Sequence, residues 1–217
     1  MSAVKLISIT QPHADDLLHL TPEELIVYVA RVSNPSNQLN RETAPKLIQY
    51  LIENKHWSPF EMVDMTVGII TSRAIAQQIL RHRSFSFQEF SQRYATVSGF
   101  EPVQLRYKAD KNRQSSSLEL EGEDKIYAYD LVNNVLDSAK AAYDKLIERG
   151  VAKECARMIL PLTSKTTLYM KGSVRSWIHY LQIRCDSHTQ LEHREIACAI
   201  LDIFKQHFPV ISEAMKF

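Results

Sequence analysis

Apolar residues recur at two different spacings along this chain, and the changes from one spacing to the other lay out its elements. Alternation in VKLISIT, residues 4–10, predicts an opening strand. Helical spacing takes over in TPEELIVYVARVS, residues 21–33, with Thr21 as N-cap, Pro22 at the first helical position and Glu24 closing a capping box. RETAPKLIQYLIENKHW, 41–57, predicts a second helix, broken by Ser58-Pro59. The β-branched alternation of MVDMTVGIITS, 62–72, predicts a strand. TSRAIAQQILRHR, 71–83, then returns to helix, with Ile75 and Ile79 on one face and Gln78 beside them.

In the second half, TVSGFEPVQLRY, 96–107, predicts one or two short strands, and the polar run KADKNRQSSSLELEGEDK, 108–125, a mobile loop or lid. Residues 125–150 form a long amphipathic pattern stopped by Gly150, and VAKECARMILP, 151–161, a shorter one stopped by Pro161. TTLYMKGS, 166–173, predicts a strand; VRSWIHYLQIRC, 174–185, and LEHREIACAILDIFKQHF, 191–208, predict the last helices. Strands interleaved with unequal helices predict an α+β fold, a central and largely antiparallel sheet flanked by long helices with a smaller helical part. A single domain over residues 1–217 accommodates it.

Composition narrows the function classes. The net charge is +1, from 26 Lys and Arg against 25 Asp and Glu, so no global field gathers nucleic acid or a membrane surface, and anion binding has to be local. No run of about 18 apolar residues predicts a membrane span. The three cysteines, Cys155, Cys185 and Cys198, predict reduced thiols in a soluble, cytoplasmic protein, with Cys155 and Cys198 as small buried hydrophobes.

Local charge concentrates in RHRSFSFQEFSQRY, Arg81 to Tyr94. Guanidinium forks suit phosphates because they donate paired hydrogen bonds and keep their charge. If the preceding helix continued, Arg81, His82 and Arg83 would diverge by about 100° per residue and serve different ligands or subunits. In extended chain, Glu89, Ser91 and Arg93 would project from one face as a clamp for a phosphate or base edge. Any one of these arginines also suits a solvated face, but Phe85, Phe87 and Phe90 interleave with them and argue for partial burial. Ser91 has no neighbouring base and is a poor covalent nucleophile.

RHR followed by seven residues and serine, Arg81-His82-Arg83 to Ser91 with Ser86 and Arg93 in register, resembles the signature of the flavin-dependent thymidylate synthases. HWSPFE at 56–61, CARMILP around Arg157 and IRCDSHTQLE around Arg184 resemble that family's other blocks, in order, so the likeness spans about 20–208. It implies methylation of dUMP to dTMP with methylenetetrahydrofolate as carbon donor, FAD as hydride carrier and NADPH as reductant, without attack by an enzyme cysteine or serine. It also implies a homotetramer whose sites form where subunits meet.

The resemblance assigns roles by position. Gln78, Arg81, Glu89, Ser91, Gln92, Arg93 and Arg157 match nucleotide contacts. Arg184 matches the arginine set against the uracil edge, the principal catalytic residue, where a fixed cation favours negative charge on the ring. His56, Ser58, Arg81, His82, Arg83, Glu89 and Arg175 match flavin-side positions, and Ser173 and His179 stand where some relatives carry flavin-binding asparagines.

No GxGxxG is present, so arginines and backbone must hold the nucleotides. His188 and His193, near Cys185 and Asp186, lack helical ligand spacing, so no metal is expected; they read instead as polar side chains at the surface or as support for Arg184, which His188 follows at helical spacing. Trp57, Trp177 and Tyr180 suit core packing better than stacking on a cofactor. The rival reading is a basic-aromatic module that grips RNA or single-stranded DNA. A phosphoryl or nucleotidyl transferase is a third reading, but the chain shows no Walker loop or paired-carboxylate metal site.

Overall fold

The first helix forms where its start signal is written. In the computed structural model, which describes residues 3–110 and 115–217, the Thr21 hydroxyl accepts from the Glu24 N–H at 3.2 Å, and Glu24 accepts from the Thr21 N–H at 2.8 Å. Two orphan donors are thereby satisfied, and α1 runs Pro22–Ala30. The other helices are α2 (Ala44–Glu53), α3 (Arg73–Ile79), α4 (Gly122–Glu148), α5 (Lys153–Ala156), α6 (Val174–Arg184), α7 (Leu191–His207) and α8 (Pro209–Met215). Strands β1 (Ala3–Ile9), β2 (Asp64–Ser72), β3 (Ser86–Glu89) and β6 (Lys165–Ser173) form an antiparallel sheet of order β1-β2-β6-β3. Strands β4 (Arg106–Lys108) and β5 (Ser116–Glu119) pair antiparallel in a separate ribbon. The fold is α+β, as the pattern predicts.

Contacts divide the described residues into two compact units. One gathers Ala3 with 70–80 and 89–168; the other gathers 4–69, 81–88 and 169–217. The second holds most of the fully buried side chains, among them Ile26, Phe60, Met65, Val67, Trp177, Ile200 and Phe204. The first is built on Ile75, Ile79, Tyr143 and Leu168. Glu23 ties α1 to α8 by accepting from Ile211 N–H at 2.7 Å and Val210 N–H at 3.3 Å.

Several boundaries differ from the pattern. The second helix stops at Glu53, and Lys55 adopts a left-handed φ of 58°, so His56 and Trp57 lie outside it. Helix α3 ends at Ile79, and Arg81 to Ser84 turn away; the helical divergence expected of Arg81, His82 and Arg83 does not apply. Strand β3 ends at Glu89 and the chain turns over Gln92–Tyr94, so Glu89, Ser91 and Arg93 do not share an extended face. Within the polar run 108–125, residues 116–119 form β5, paired by β4 despite their composition, and α4 begins at Gly122; residues 111–114 lie outside the described residues. The helix expected over 151–161 is one turn of α5 followed by a 3-10 turn, Arg157–Ile159. Cys155 and Cys198 are exposed rather than buried, because each falls on an outward helical position.

Candidate functional site

What seats the RHR turn is a glycine. A Cβ built on Gly172 of β6 would lie 2.5 Å from Cδ1 of Phe85, so the ring rests directly on bare backbone. Phe85 then packs against Trp177, with ring centroids 4.7 Å apart, and against Tyr180 at 5.8 Å. Trp177 is itself held by its Nε1–H, which donates to Met65 O at 3.0 Å. With Phe85 anchored, His82 lies over the Tyr180 ring, edge to face, at a centroid distance of 4.9 Å.

His82 there meets Arg184, the last residue of α6: the Arg184 Nε–H donates to His82 Nε2 at 2.8 Å. An arginine only donates, so His82 accepts through Nε2 and carries its proton on Nδ1. Burial, then the charge of Arg184, then His179, lower the His82 pKa to about 4, and the ring is neutral at pH 7. One side of the guanidinium is thereby fixed while its terminal nitrogens stay uncommitted to His82. Beneath, the fully buried His193 lies 3.1 Å from the Tyr180 hydroxyl through Nε2. Burial first, then Arg184 and His82, push its pKa down to about 3, while burial raises that of the Tyr180 phenol.

The same unit carries a cleft of about 450 Å³ lined by Trp57, Glu61, Ser84, Arg175, His179 and Gln182 with neighbouring parts of α6. The Glu61 carboxylate organises it. It accepts from Arg175 Nη1 at 2.8 Å and from Ser173 Oγ at 2.5 Å, while Ser173 caps α6 by accepting from the Ser176 N–H. The Ser176 hydroxyl donates to Ser84 O at 3.3 Å, tying the helix start to the RHR turn. Arg175 and His179 therefore line one cleft, with Ser173 bound to its wall. Ser58 opens the 3-10 turn Ser58–Glu61, and His56 is exposed, edge-on to Tyr50. Arg81 and Arg83 are exposed.

In the other unit, a shallower cleft of about 400 Å³ is lined by Ser91, Arg93, Tyr94, Ala152, Lys153 and Glu154. Arg93 is paired with Glu154 through Nε at 3.0 Å and Nη2 at 2.8 Å. The Gln92 Nε2 and Arg157 Nε are buried with no hydrogen-bond partner, two donors that an acceptor could satisfy. Glu89 accepts from Arg73 Nη1 at 2.9 Å and Thr166 Oγ1 at 2.8 Å. Gln78 is half-buried on α3.

Glu61 and Arg73 had no assigned function in the sequence; Tyr180 is buried in the core as expected, whereas His193, expected at the surface or in support of Arg184, is fully buried because its ring meets the Tyr180 hydroxyl. Glu61 lies inside the HWSPFE block, where only its neighbours His56 and Ser58 drew a role. His188, expected to share a helical face with Arg184, does not, because α6 ends at Arg184; it is exposed and pairs with Asp186. No group of three or more His, Cys, Asp or Glu suited to a metal ion occurs among the described residues.

Comparison with known proteins now decides the family. Residues 16–210 match the family model described as thymidylate synthase complementing protein, Thy1. Flavin-dependent thymidylate synthase of Synechocystis is 50% identical over 215 residues, covering 99% of both chains. The chain belongs to this family. A probable flavin-dependent thymidylate synthase of Paramecium bursaria Chlorella virus 1 is 49% identical, covering 100% of both chains. The crystal structure of a UMP/dUMP methylase, PolB, from Streptomyces cacaoi bound with 5-Br dUMP superposes with a TM-score of 0.85 at 25% identity, over 100% of this chain and 95% of that one. The family's RHR block is thus, in this chain, a turn seated on Gly172 with His82 neutral beneath Arg184.

The donor set of the larger cleft suits a flavin nucleotide. Trp57 offers an aromatic face, Arg175 and His179 offer a cation and an imidazole for phosphate or carbonyl oxygens, and Ser176 a hydroxyl.

Proposed function

We propose that this chain is a flavin-dependent thymidylate synthase, a single functional domain over residues 1–217 that methylates dUMP to dTMP. The methylene carbon of methylenetetrahydrofolate is transferred, NADPH is the ultimate reductant, and FAD, once bound and reduced by it, would supply the hydride that completes the methyl group. The observation that carries the reading is Arg184, a fixed cation whose Nε is held by a neutral imidazole, in a chain that matches the family along nearly its whole length.

On this reading Arg184 faces the pyrimidine edge. A guanidinium held on one side pays little to reorganise as negative charge develops on the ring, and so activates C5. The neutral His82 adds no competing charge, and its Nδ1–H is a donor. Ser91, Arg93, Gln92 and Arg157, with Gln78 and Arg81, hold dUMP, the buried Gln92 and Arg157 nitrogens gaining the acceptors they lack. Arg175, His179, Ser173, Ser58, His56 and Arg83 serve the flavin side, with Glu61 orienting Arg175.

The protein acts as a homotetramer with sites completed where subunits meet. The support is an apolar stripe on α4, Tyr127, Leu131 and Val135, exposed at 68%, 51% and 61%, at the i, i+4, i+8 spacing of a packing face. No helix among the described residues is long and apolar enough to cross a membrane, and we place the enzyme in the cytoplasm.

Incubation with dUMP, methylenetetrahydrofolate, FAD and NADPH should yield dTMP, detected directly. A colourless protein that ignores added FAD and instead shifts RNA would replace this reading with the nucleic-acid module.

A further inference from the structure

Tyr180 and His193 place two polar groups at the bottom of an apolar core. Both side chains are fully buried, and their hydrogen bond joins α6 to α7. A phenylalanine and a leucine would fill the same space without desolvating a hydroxyl and an imidazole. Buried polar pairs of this kind add little net stability, and in some proteins they serve instead to select one geometry.

The surroundings show what that selection governs. Tyr180 precedes Arg184 by four residues on α6, so the two share a face. The His82 ring spans that face, packed on Tyr180 and accepting from Arg184 Nε. The His193 ring lies 6.3 Å from the His82 ring, nearly perpendicular to it. His193, Tyr180, His82 and Arg184 therefore form one continuous path.

We propose that the Tyr180–His193 hydrogen bond is a positioning device for Arg184, fixing where α6 sits on α7 and, through the His82 ring resting on Tyr180, where the guanidinium is held. Apolar contact is non-directional and tolerates small slides of one helix along another. A hydrogen bond does not, because it weakens steeply once distance and angle leave a narrow range. A slide of about 1 Å would strand a buried hydroxyl, so the tie selects one register, and a misplacement of that size at a reacting centre can cost on the order of a hundredfold in rate. The catalytic consequence rests on the role given to Arg184 above; the structural consequence does not.

The test is the double variant Y180F/H193L. Replacing both partners by apolar groups of similar shape removes the tie without leaving either of the two unpaired toward the other, and the bound-flavin absorbance should match the parent. The expected change is a fall in kcat of about tenfold or more, with KM for dUMP moving less. In addition, ¹⁵N NMR of the histidines should show a single His82 tautomer, protonated on Nδ1, in the parent and a mixture in the double variant. Parental kcat together with one His82 tautomer in the double variant overturns the proposal. Should that variant not fold, H193Q, whose amide can still meet Tyr180, must retain more kcat than H193L; equal losses overturn it. If the parent itself forms no dTMP, the reaction assignment fails, while the two tautomer spectra still decide the positioning role.

Discussion

Two arginine sites in this molecule are held in opposite ways. Arg184 belongs to a nest of rings in which every partner is buried or half-buried and the acceptor is a neutral imidazole. Arg93 stands at an open cleft, its side chain 66% exposed and paired with a Glu154 that is itself 52% exposed. The first arrangement fixes a cation before any ligand arrives; the second holds one loosely beside a carboxylate that an incoming anion can displace. Pre-organisation serves a charge that must act in a transition state, whereas an exchangeable partner suffices where a phosphate is only bound and released.

The contrast is broken most severely at Arg184. Arg184→Ala should lower dTMP formation by about a thousandfold with the circular dichroism spectrum unchanged; turnover within threefold of the parent would remove Arg184 from the mechanism. Arg184→Lys should recover little of the loss, because an ammonium cannot donate to His82 and present a planar fork at once.

Gly172 comes next, since its bare backbone supports the nest through Phe85. Gly172→Ala forces a methyl against the Phe85 ring, which Trp177 and Tyr180 block from retreating. The expected loss is about 1–3 kcal/mol by denaturant titration, with reduced flavin retention as the RHR turn shifts. Gly68→Ala is the control: its nearest contact, at 3.1 Å, is the terminal carbon of Ile7, a side-chain end that can move. Equal losses at the two glycines would mean that Phe85 is not locked.

Acid should separate the two regions as well. His82 and His193 titrate near 4 and 3 in the folded chain, below the ordinary 6.5, because burial and Arg184 disfavour their charged forms. The unfolded chain therefore binds more protons in this range, and stability rises with pH. Their contribution is complete above about pH 6.5 and is lost as pH falls from 6.5 toward 4 for His82 and toward 3 for His193, offset in part by Glu23, whose carboxyl pKa burial raises to about 7 and which therefore favours the folded chain as acid is added. Urea midpoints followed by Trp177 fluorescence should decline over that interval, and less steeply in Y180F/H193L, which lacks one of the two imidazoles.

Local signals were legible in the sequence and long-range ones were not. The capping box of α1 and the alternation of β2 need only residues a few positions apart, so both could be read directly. The seat of Phe85 carries no local signal, because it lies on Gly172, on a strand far along the chain. The part of the polar run that forms β5 read as loop because its partner strand β4, not its composition, makes it extended. Motif reading likewise named Arg184, His82, Arg175 and Ser173, but the carboxylate that joins Ser173 to Arg175, and the bond that joins Tyr180 to His193 under His82, emerge only from packing. Motifs record which groups meet ligands, and the groups that hold them in place carry no comparable spacing.

The mildest test lies at the open cleft. If Arg93 meets the phosphate of dUMP, Arg93→Ala should raise KM for dUMP about tenfold, the loss of one charge-assisted contact, and leave kcat nearly unchanged. Glu154→Gln removes a competitor for the same guanidinium. An exposed ion pair is worth under about 1 kcal/mol, so dUMP should bind about two- to threefold tighter in this variant at low salt, and the advantage should vanish at high salt as the pair is screened. Stability should not respond to either change, because both side chains remain largely in water. Weaker nucleotide binding in Glu154→Gln would show instead that the carboxylate orients Arg93 for its ligand, and the open cleft would then be as pre-organised as the nest around Arg184.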